Sequence, residues 1–455
     1  MKKLSFLLAC ISLTSTLYAT VFYVTPGGSG DKSGSSWENA FDLTTENLAS
    51  GESGDEFWVK AGTYQTNISY TERQLYGGFN GTETELNQRD WVKNPTILQG
   101  VEEAQNPLAI LNLSAQLDGF IIQDNLYAKA TTFNGAGVQM LAKTVLRNCI
   151  VRNNQTIGPN NNNVGGGIFV TGLETDGVYP LIENCLIINN STPNNGAGIQ
   201  IGAKATLHIV NSTVANNLIT KASDEVGSGF GCGIGLAPNT ILIAENSLIY
   251  NNQKSDGTPF SIGPNQNAAN HTTATVRNCA FDAVNAGDGT KNGILFAEKT
   301  ACIEDLSIDN APGFKKPVSF AGVKPATSEE YAEFASADYS LLATSICIDK
   351  GNSEYSTTEY DLAGNAREIN GQVDIGAYEY TSDLPTGLQA AKTSFNCYVS
   401  DGFLVLRGVE AGNTVHVYNA LGREVISMPS DSPIQLPSRG LYIVQCGKLT
   451  QKVMY

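Results

Sequence analysis

The chain has 455 residues and a formal net charge of −16, from 28 Lys and Arg against 44 Asp and Glu. That balance argues against a nucleic-acid binder, which depends on neutralising phosphates. Charged residues make up only 16 % of the chain while glycine fills 46 positions, and such a composition suits short strands and tight turns better than helices. Residues 1–19 read as an export signal: Lys2 and Lys3, an apolar run from Leu4 to Leu17, and small Ala19 before Thr20. A lipoprotein box ending at Cys10 is the alternative, disfavoured because its apolar run would be very short and more apolar sequence follows. No later segment holds ~18 uninterrupted apolar residues, so no membrane helix is expected and the mature chain reads as exported and soluble. None of the remaining cysteines forms a Cys-x-x-Cys pair, so no zinc site is expected.

Residues 20–100 read as an N-terminal cap and the first turns of a larger architecture. Tyr76, Phe79 and Trp91 are expected to cap the core there rather than to bind sugar.

From residue 101 an internal repeat takes over. Its landmark is an Asn followed by Cys or Ser: Asn148, Asn184, Asn211, Asn246 and Asn278, spaced 36, 27, 35 and 32 residues apart. Aliphatic residues recur two before it, and aliphatic or aromatic residues three after it. Five and six after it comes an Asn pair, at 153–154, 189–190, 216–217 and 251–252, which the fifth repeat lacks. A Gly-small-Gly-aliphatic run recurs at 135–138, 165–168, 196–199 and 231–234. The alternation around each landmark has period two, the sign of strands. Fixed landmarks with variable spacing fit a parallel β-helix, whose coils stack ~4.8 Å apart and tolerate insertions only at corners. A leucine-rich repeat would need its own leucine frame, and a propeller blade a longer period.

Stacking gives the repeated asparagines a structural purpose. An amide at one corner sits above its copy and can hydrogen-bond up and down the column, and the landmark asparagines 148, 184, 211, 246 and 278 are expected to form that ladder. The residue before each landmark is Arg147, Glu183, Val210, Glu245 or Arg277. If the coils stack in order, Arg147 meets Glu183 and Glu245 meets Arg277, as surface struts.

The runs GAGV, GGGI, GAGI and GCGI, alternating with IVRNN, LIINN, TVANN and LIYNN, resemble the polymorphic outer-membrane protein repeats and the wider pectate-lyase-like right-handed β-helices. FYVTPGGSGDKSGSSWENAF, SGDEFWVKAGTY and YGGFNGTETELNQRDWVKNPTILQG are similar to the opening segments of such secreted proteins. YDLAGNAREINGQVDIGAYEY is similar to a closing segment of the group, but Ala363 and Ala366 stand where Asp and Pro are usual, so calcium is not supported and no cofactor is expected. After a linker at 382–387, the strands of 388–455 (VHVYNALGREV, LPSRGLYIV and a final strand with Lys452) resemble the C-terminal sorting domain of type IX secretion substrates. That resemblance implies a Gram-negative source, passage through the outer membrane by its secretion machinery, and display or release at the cell surface. A C-terminal autotransporter barrel would need more strands than the remaining sequence supplies. Cys397 and Cys446 are a candidate disulfide in this small β-sandwich.

The expected fold is therefore all-β: a right-handed parallel β-helix over 101–381, completed by the 20–100 cap, then a small sandwich. Two functions compete, with a purely structural surface layer as a third possibility. A polysaccharide lyase or glycoside hydrolase would need clustered carboxylates, or a calcium-binding Asp cluster with a basic residue. No paired Asp or Asp-His motif is present, and His208, His271 and His416 each stand without a sequence partner. The loop acids Glu174 and Asp176 read as solvated charges. The other reading is a non-catalytic adhesin or glycan binder recognising an extracellular or host glycan or a surface receptor. In that reading the loops after each Asn pair form one polar rim, with Asn161, Asn162, Asn194, Lys221, Asp224, Glu225, Lys254 and Asp256 as its candidate contacts. No metal ligand and no catalytic residue is assigned.

Overall fold

The computed structural model describes residues 19–381 except 102–103, 129–134, 158–163, 173–176, 222–230, 265–271, 285–292, 305, 308–310 and 370, and residues 396–454 except 401–402, 408–412, 420–421, 431, 438–439 and 447–448. The chain divides into two compact units, Met1–Thr381 and Ser382–Tyr455. Among the described residues of the first, the strands form four parallel sheets of ten, eight, five and seven strands, here A, B, C and D in the order the chain visits them. One coil illustrates the path: Val145–Arg147 in A, Ile150–Arg152 in B, Gln155–Thr156 in C, Ile168–Val170 in D, then Leu181–Glu183 back in A. Each strand pairs in register with its counterpart one coil away, so Leu146 lies against Ile182 and Ile182 against Ile209. This is a right-handed parallel β-helix, the hand that strand-crossover-strand connections take. No helix among the described residues is long and apolar enough to cross a membrane.

Period-two alternation turns one apolar column from each long sheet into the bore. Leu146, Ile182, Ile209, Ala244 and Val276 enter from A; Val151, Ile187, Val214, Ile249 and Phe281 from B; Val138, Ile168, Ile199, Ile234 and Ile262 from D, all buried. The N-terminal end is closed by strand Val21–Val24 beside sheet A, by helix α1 (Thr45–Ala49) burying Leu48, and by stacked aromatics. Phe79 is buried and stacks on Trp58 with centroids 4.9 Å apart, and Arg89 lies 5.0 Å from the Tyr76 ring centroid and 5.1 Å from that of Trp91.

The amide ladder exists, one corner along from its expected place. The second Asn of each pair forms it: Asn154 Nδ2 donates to Asn190 Oδ1 at 3.1 Å, Asn190 to Asn217 at 3.0 Å and Asn217 to Asn252 at 2.8 Å. Each backbone N–H donates to the same acceptor, and each Nδ2 also reaches a carbonyl of the previous coil. Asn252 hands the ladder to Ser261, whose hydroxyl donates to Asp282. The repeated glycines are the other half of this device. A Cβ on Gly167, Gly198 or Gly233 would lie 2.9, 2.9 or 2.7 Å from the Nδ2 of Asn190, Asn217 or Asn252. Gly198→Ala should therefore destabilise the first unit by about 1–3 kcal/mol; an unchanged urea midpoint would show that this contact relaxes freely.

The landmark asparagines 148, 184, 211, 246 and 278 do something else. All have positive φ between 45° and 53°, which turns the side chain outward, and among them only Asn184 donates to a copy, Asn148 Oδ1 at 2.7 Å. Asn184, Asn211, Asn246 and Asn278 donate to Tyr360, Ser356, Asn352 and Lys350 of a segment that climbs along the A–B corner. The first Asn of the pairs does the same at the B–C corner, where Asn153, Asn189 and Asn216 hold residues 318–324. Both segments belong to an arm that leaves the stack after Ile303 and carries helix α2 (Glu329–Ala335). The arm buries the outer face of sheet B: Leu186, Ile188, Ala215, Leu248 and Ala280 pack with arm residues including Phe314, Phe334, Leu341 and Ile375.

A polar clasp fastens the end of the arm. Arg367, 1 % exposed, donates through Nη1 to Glu379 Oε1 at 3.0 Å and to the carbonyl of Gly376, and through Nη2 to Asn184 Oδ1 and the carbonyl of Ala377. Asp361 accepts from Asn365 and from the Glu379 N–H, and Asp374 from the N–H groups of Asp349 and Tyr380.

The second unit packs a three-stranded antiparallel sheet (Asn396–Ser400, Phe403–Arg407, Ile434–Gln435) and a four-stranded one (Thr414–Asn419, Glu424–Pro429, Leu441–Cys446, Leu449–Met454) around a shared apolar core. Cys397 and Cys446 both belong to that core and both are thiols.

Candidate functional site

The described residues that flank the loops after the Asn pairs lie at the ends of strands of sheets C and D. Asn161, Asn162, Asp224 and Glu225, like Glu174, Asp176 and His271, lie outside the described residues. Of the expected rim contacts that are described, Asp256 is exposed and uses its carboxylate to cap its own loop, accepting from Thr258 N–H at 3.0 Å. Asn194 is buried and accepts from Lys221 Nζ at 3.3 Å, a brace between neighbouring coils. Lys254 is not a rim charge: it is 2 % exposed, with its ammonium 5.3 Å from the Phe260 ring centroid. It stands in register with buried Ile219, where strand alternation turns it inward.

The outer face of sheet A brings together a group that the sequence left apart. His208 Nε2 lies 2.8 Å from Glu245 Oε2, Glu245 Oε1 is 2.7 Å from Arg277 Nη1, and Arg277 also makes a two-pronged pair with Glu298. These four residues come from four successive strands. Arg147 and Glu183 pair at 2.8 Å one step away. They are roofed rather than surface struts: Glu183 is buried and accepts from Thr357, while Arg277 lies 5.8 Å from the Tyr355 ring centroid. Beside this ionic row stand exposed Val178, Ile241 and Leu295, with half-buried Leu181 and Ile243. His208 therefore has a carboxylate partner, missed because the pairing is diagonal, three residues before one landmark and one before the next. His416 also has partners, but Glu424 and Ser427 both approach its Nδ1, so it cannot relay a proton between them.

Two acids of this face, Glu245 and Glu298, are held low by their cationic neighbours. A glycosidase needs a reachable carboxyl held above its usual range beside an ionised one. Here His208 and Arg277 hold Glu245 below its ordinary value despite burial, and Arg277 holds Glu298 low. The two carboxylates push the Arg277 guanidinium further up, away from any role as a base. Among the described residues the carboxyls raised by burial are Asp282, which closes the amide ladder, and Asp361, Asp374 and Glu379 in the clasp.

Glu379 has a consequence for stability. Burial, reinforced by Asp374 and opposed by Arg367, pushes its carboxyl from an ordinary 4.5 up to about 8. A group raised in the folded state stabilises below its unfolded value and loses that contribution as pH climbs towards the folded one. The unfolding free energy of the first unit should therefore fall between about pH 5 and pH 8, by an amount on the order of a few kcal/mol. Thermal melts should show a clearly flatter profile for Glu379→Gln, and an identical slope would refute the assignment.

A cleft of about 220 Å³ lies where the arm reaches the N-terminal coils; its mostly apolar lining includes Trp91, Phe120, Ile150, Leu362 and Tyr378. Trp91 Nε1 donates to the Leu362 carbonyl at 3.2 Å across it. Among the described residues no group of three or more His, Cys, Asp or Glu side chains is arranged to hold a metal ion.

No family model matches the chain, and no curated protein matches it. Among solved structures, the crystal structure of pectate lyase Pel9A is similar over 80 % of this chain and 96 % of that one, at 14 % identity and a TM-score of 0.39. That likeness is too distant to carry any activity across, and the β-helix stands on its own sheets and register.

Proposed function

We propose that this is an exported surface protein that binds a partner outside the cell without cleaving it, an adhesin or glycan binder. The observation that carries the reading is the outer face of sheet A. Its ionic groups are already committed to one another across coils, and exposed Ile241 and Leu295 stand on the same face, an arrangement that favours contact over chemistry. The charged leader and the sorting-type tail support delivery by type IX-like secretion to the exterior of a Gram-negative outer membrane. Removing residues 388–455 should then leave the protein inside the envelope; unchanged surface display would reject that route.

The alternative, a polysaccharide lyase or hydrolase, is favoured by one observation, the half-exposed His208 backed by Glu245. Incubating the full mature chain with plant and host polysaccharides decides between the two. Binding on a glycan or cell array with no new reducing or unsaturated ends is expected. Product formation abolished by His208→Ala would overturn the binding reading.

A further inference from the structure

The residue after each corner position, an Asn in five coils and Ala301 in the last, all with positive φ, forms a column of small donors: Cys149, Cys185, Ser212, Ser247, Cys279 and Cys302. Each points its sulfur or oxygen back at the carbonyl two residues earlier, from 2.8 Å at Ser212 and Ser247 to 3.4 Å at Cys302. This answers the corner's need for a donor and explains the Cys/Ser alternation. It also places two thiol pairs one coil apart. Arg147 with Glu183 and Ile150 with Leu186 set Cys149 against Cys185. Arg277 with Thr300 and Ala280 with Ile303 set Cys279 against Cys302. In-register parallel neighbours are about 4.8 Å apart, inside the range of Cα separations that a disulfide spans, although their Cβ atoms must close by a few tenths of an ångström.

The two pairs differ in whether that closure is possible. Cys149 and Cys185 are fully buried, with strands stacked on both sides of their coils. Cys302 is half-exposed, and its coil is the last of sheet A: strand Leu295–Thr300 is paired on one side only and already slips register against Thr273–Arg277. We infer that Cys279 and Cys302 are a disulfide site that pins the final coil, and with it the root of the arm, to the body of the helix.

The oxidant is a small-molecule or protein disulfide. The Cys302 thiolate attacks one sulfur of oxidised glutathione and releases one glutathione. The Cys279 thiolate then attacks Cys302 Sγ, releasing the second. Two protein thiols are oxidised, one disulfide is reduced, and the two protons end on the released thiols. Burial raises both thiols above their usual range, so the exchange is slow near neutrality and faster in mild alkali.

The test uses the intact native chain, incubated with oxidised glutathione, quenched in acid, alkylated and digested without reductant. Trypsin cuts at Arg277, Lys291 and Lys299 and so places the two cysteines on separate peptides. The expected result is one linked pair joining Cys279 to Cys302, loss of alkylation at both, reversal by dithiothreitol, and unlinked thiols at Cys149 and Cys185. Hydrogen exchange over 295–303 should slow on oxidation and stay unchanged in Cys302→Ser. A lasting glutathione adduct on Cys302 with Cys279 still a thiol, a link from Cys302 elsewhere, or two unreacted thiols would each overturn it.

Discussion

Arg367→Ala should lower the unfolding free energy of the β-helix unit by about 3–5 kcal/mol, because it removes the cation from a buried cluster of acids and strands the buried groups that it bonds. Among the described residues the guanidinium is the positive group of a buried cluster that also holds Asp361, Asp374 and Glu379, and it makes three hydrogen bonds within the arm and a fourth that ties the arm to Asn184. Its loss should also be local. Amides over 359–380 should exchange faster than those of sheet D, and Trp91, bonded to Leu362, should report the change in fluorescence. Arg367→Met combined with Glu379→Gln should recover part of the loss, since methionine refills the volume and a neutral amide replaces an acid that has lost its cation. A urea midpoint within experimental error of the parent for Arg367→Ala would mean that the arm is held by its apolar contacts alone.

Asn217→Leu should cost about 3 kcal/mol or more, from several orphaned groups at about 1–3 kcal/mol each. Asn217 sits mid-ladder with no exposure, accepting from both the N–H and the amide of Asn190 and donating to Asn252 Oδ1 and the carbonyls of Ile187 and Ala215. Leucine matches its bulk and can make none of these bonds. Water cannot replace them in the apolar bore, so the penalty should appear in full as a shift of the denaturation midpoint. A loss below about 1 kcal/mol would show that the ladder is a consequence of stacking rather than a contributor to it.

The coil alignment was readable because a β-helix compares each coil with its own copy. Aligning on the landmark asparagines placed Arg147 against Glu183 and Glu245 against Arg277, and those pairs stand at 2.8 and 2.7 Å. The same alignment assigned the ladder to the wrong asparagine. Both kinds recur at fixed offsets, the landmark five times and the pair four, and what separates them is backbone: positive φ throws the amides of Asn184 and Asn189 outward, while Asn190 points into the bore. Lys254 failed for a related reason, since its charge suggested solvent while strand alternation put it inside.

The repeat by itself determined the stacking, the order of coils and the inward columns, because those depend only on which residue types recur at which offset. The arm, the clasp at Arg367, the pairing of His208 with Glu245 and the stacked thiols of Cys279 and Cys302 were decided by tertiary structure. The arm has no copy in the sequence to be aligned with, and the other contacts join residues that no periodic rule relates until the coils are wound and the surface of sheet B has to be covered.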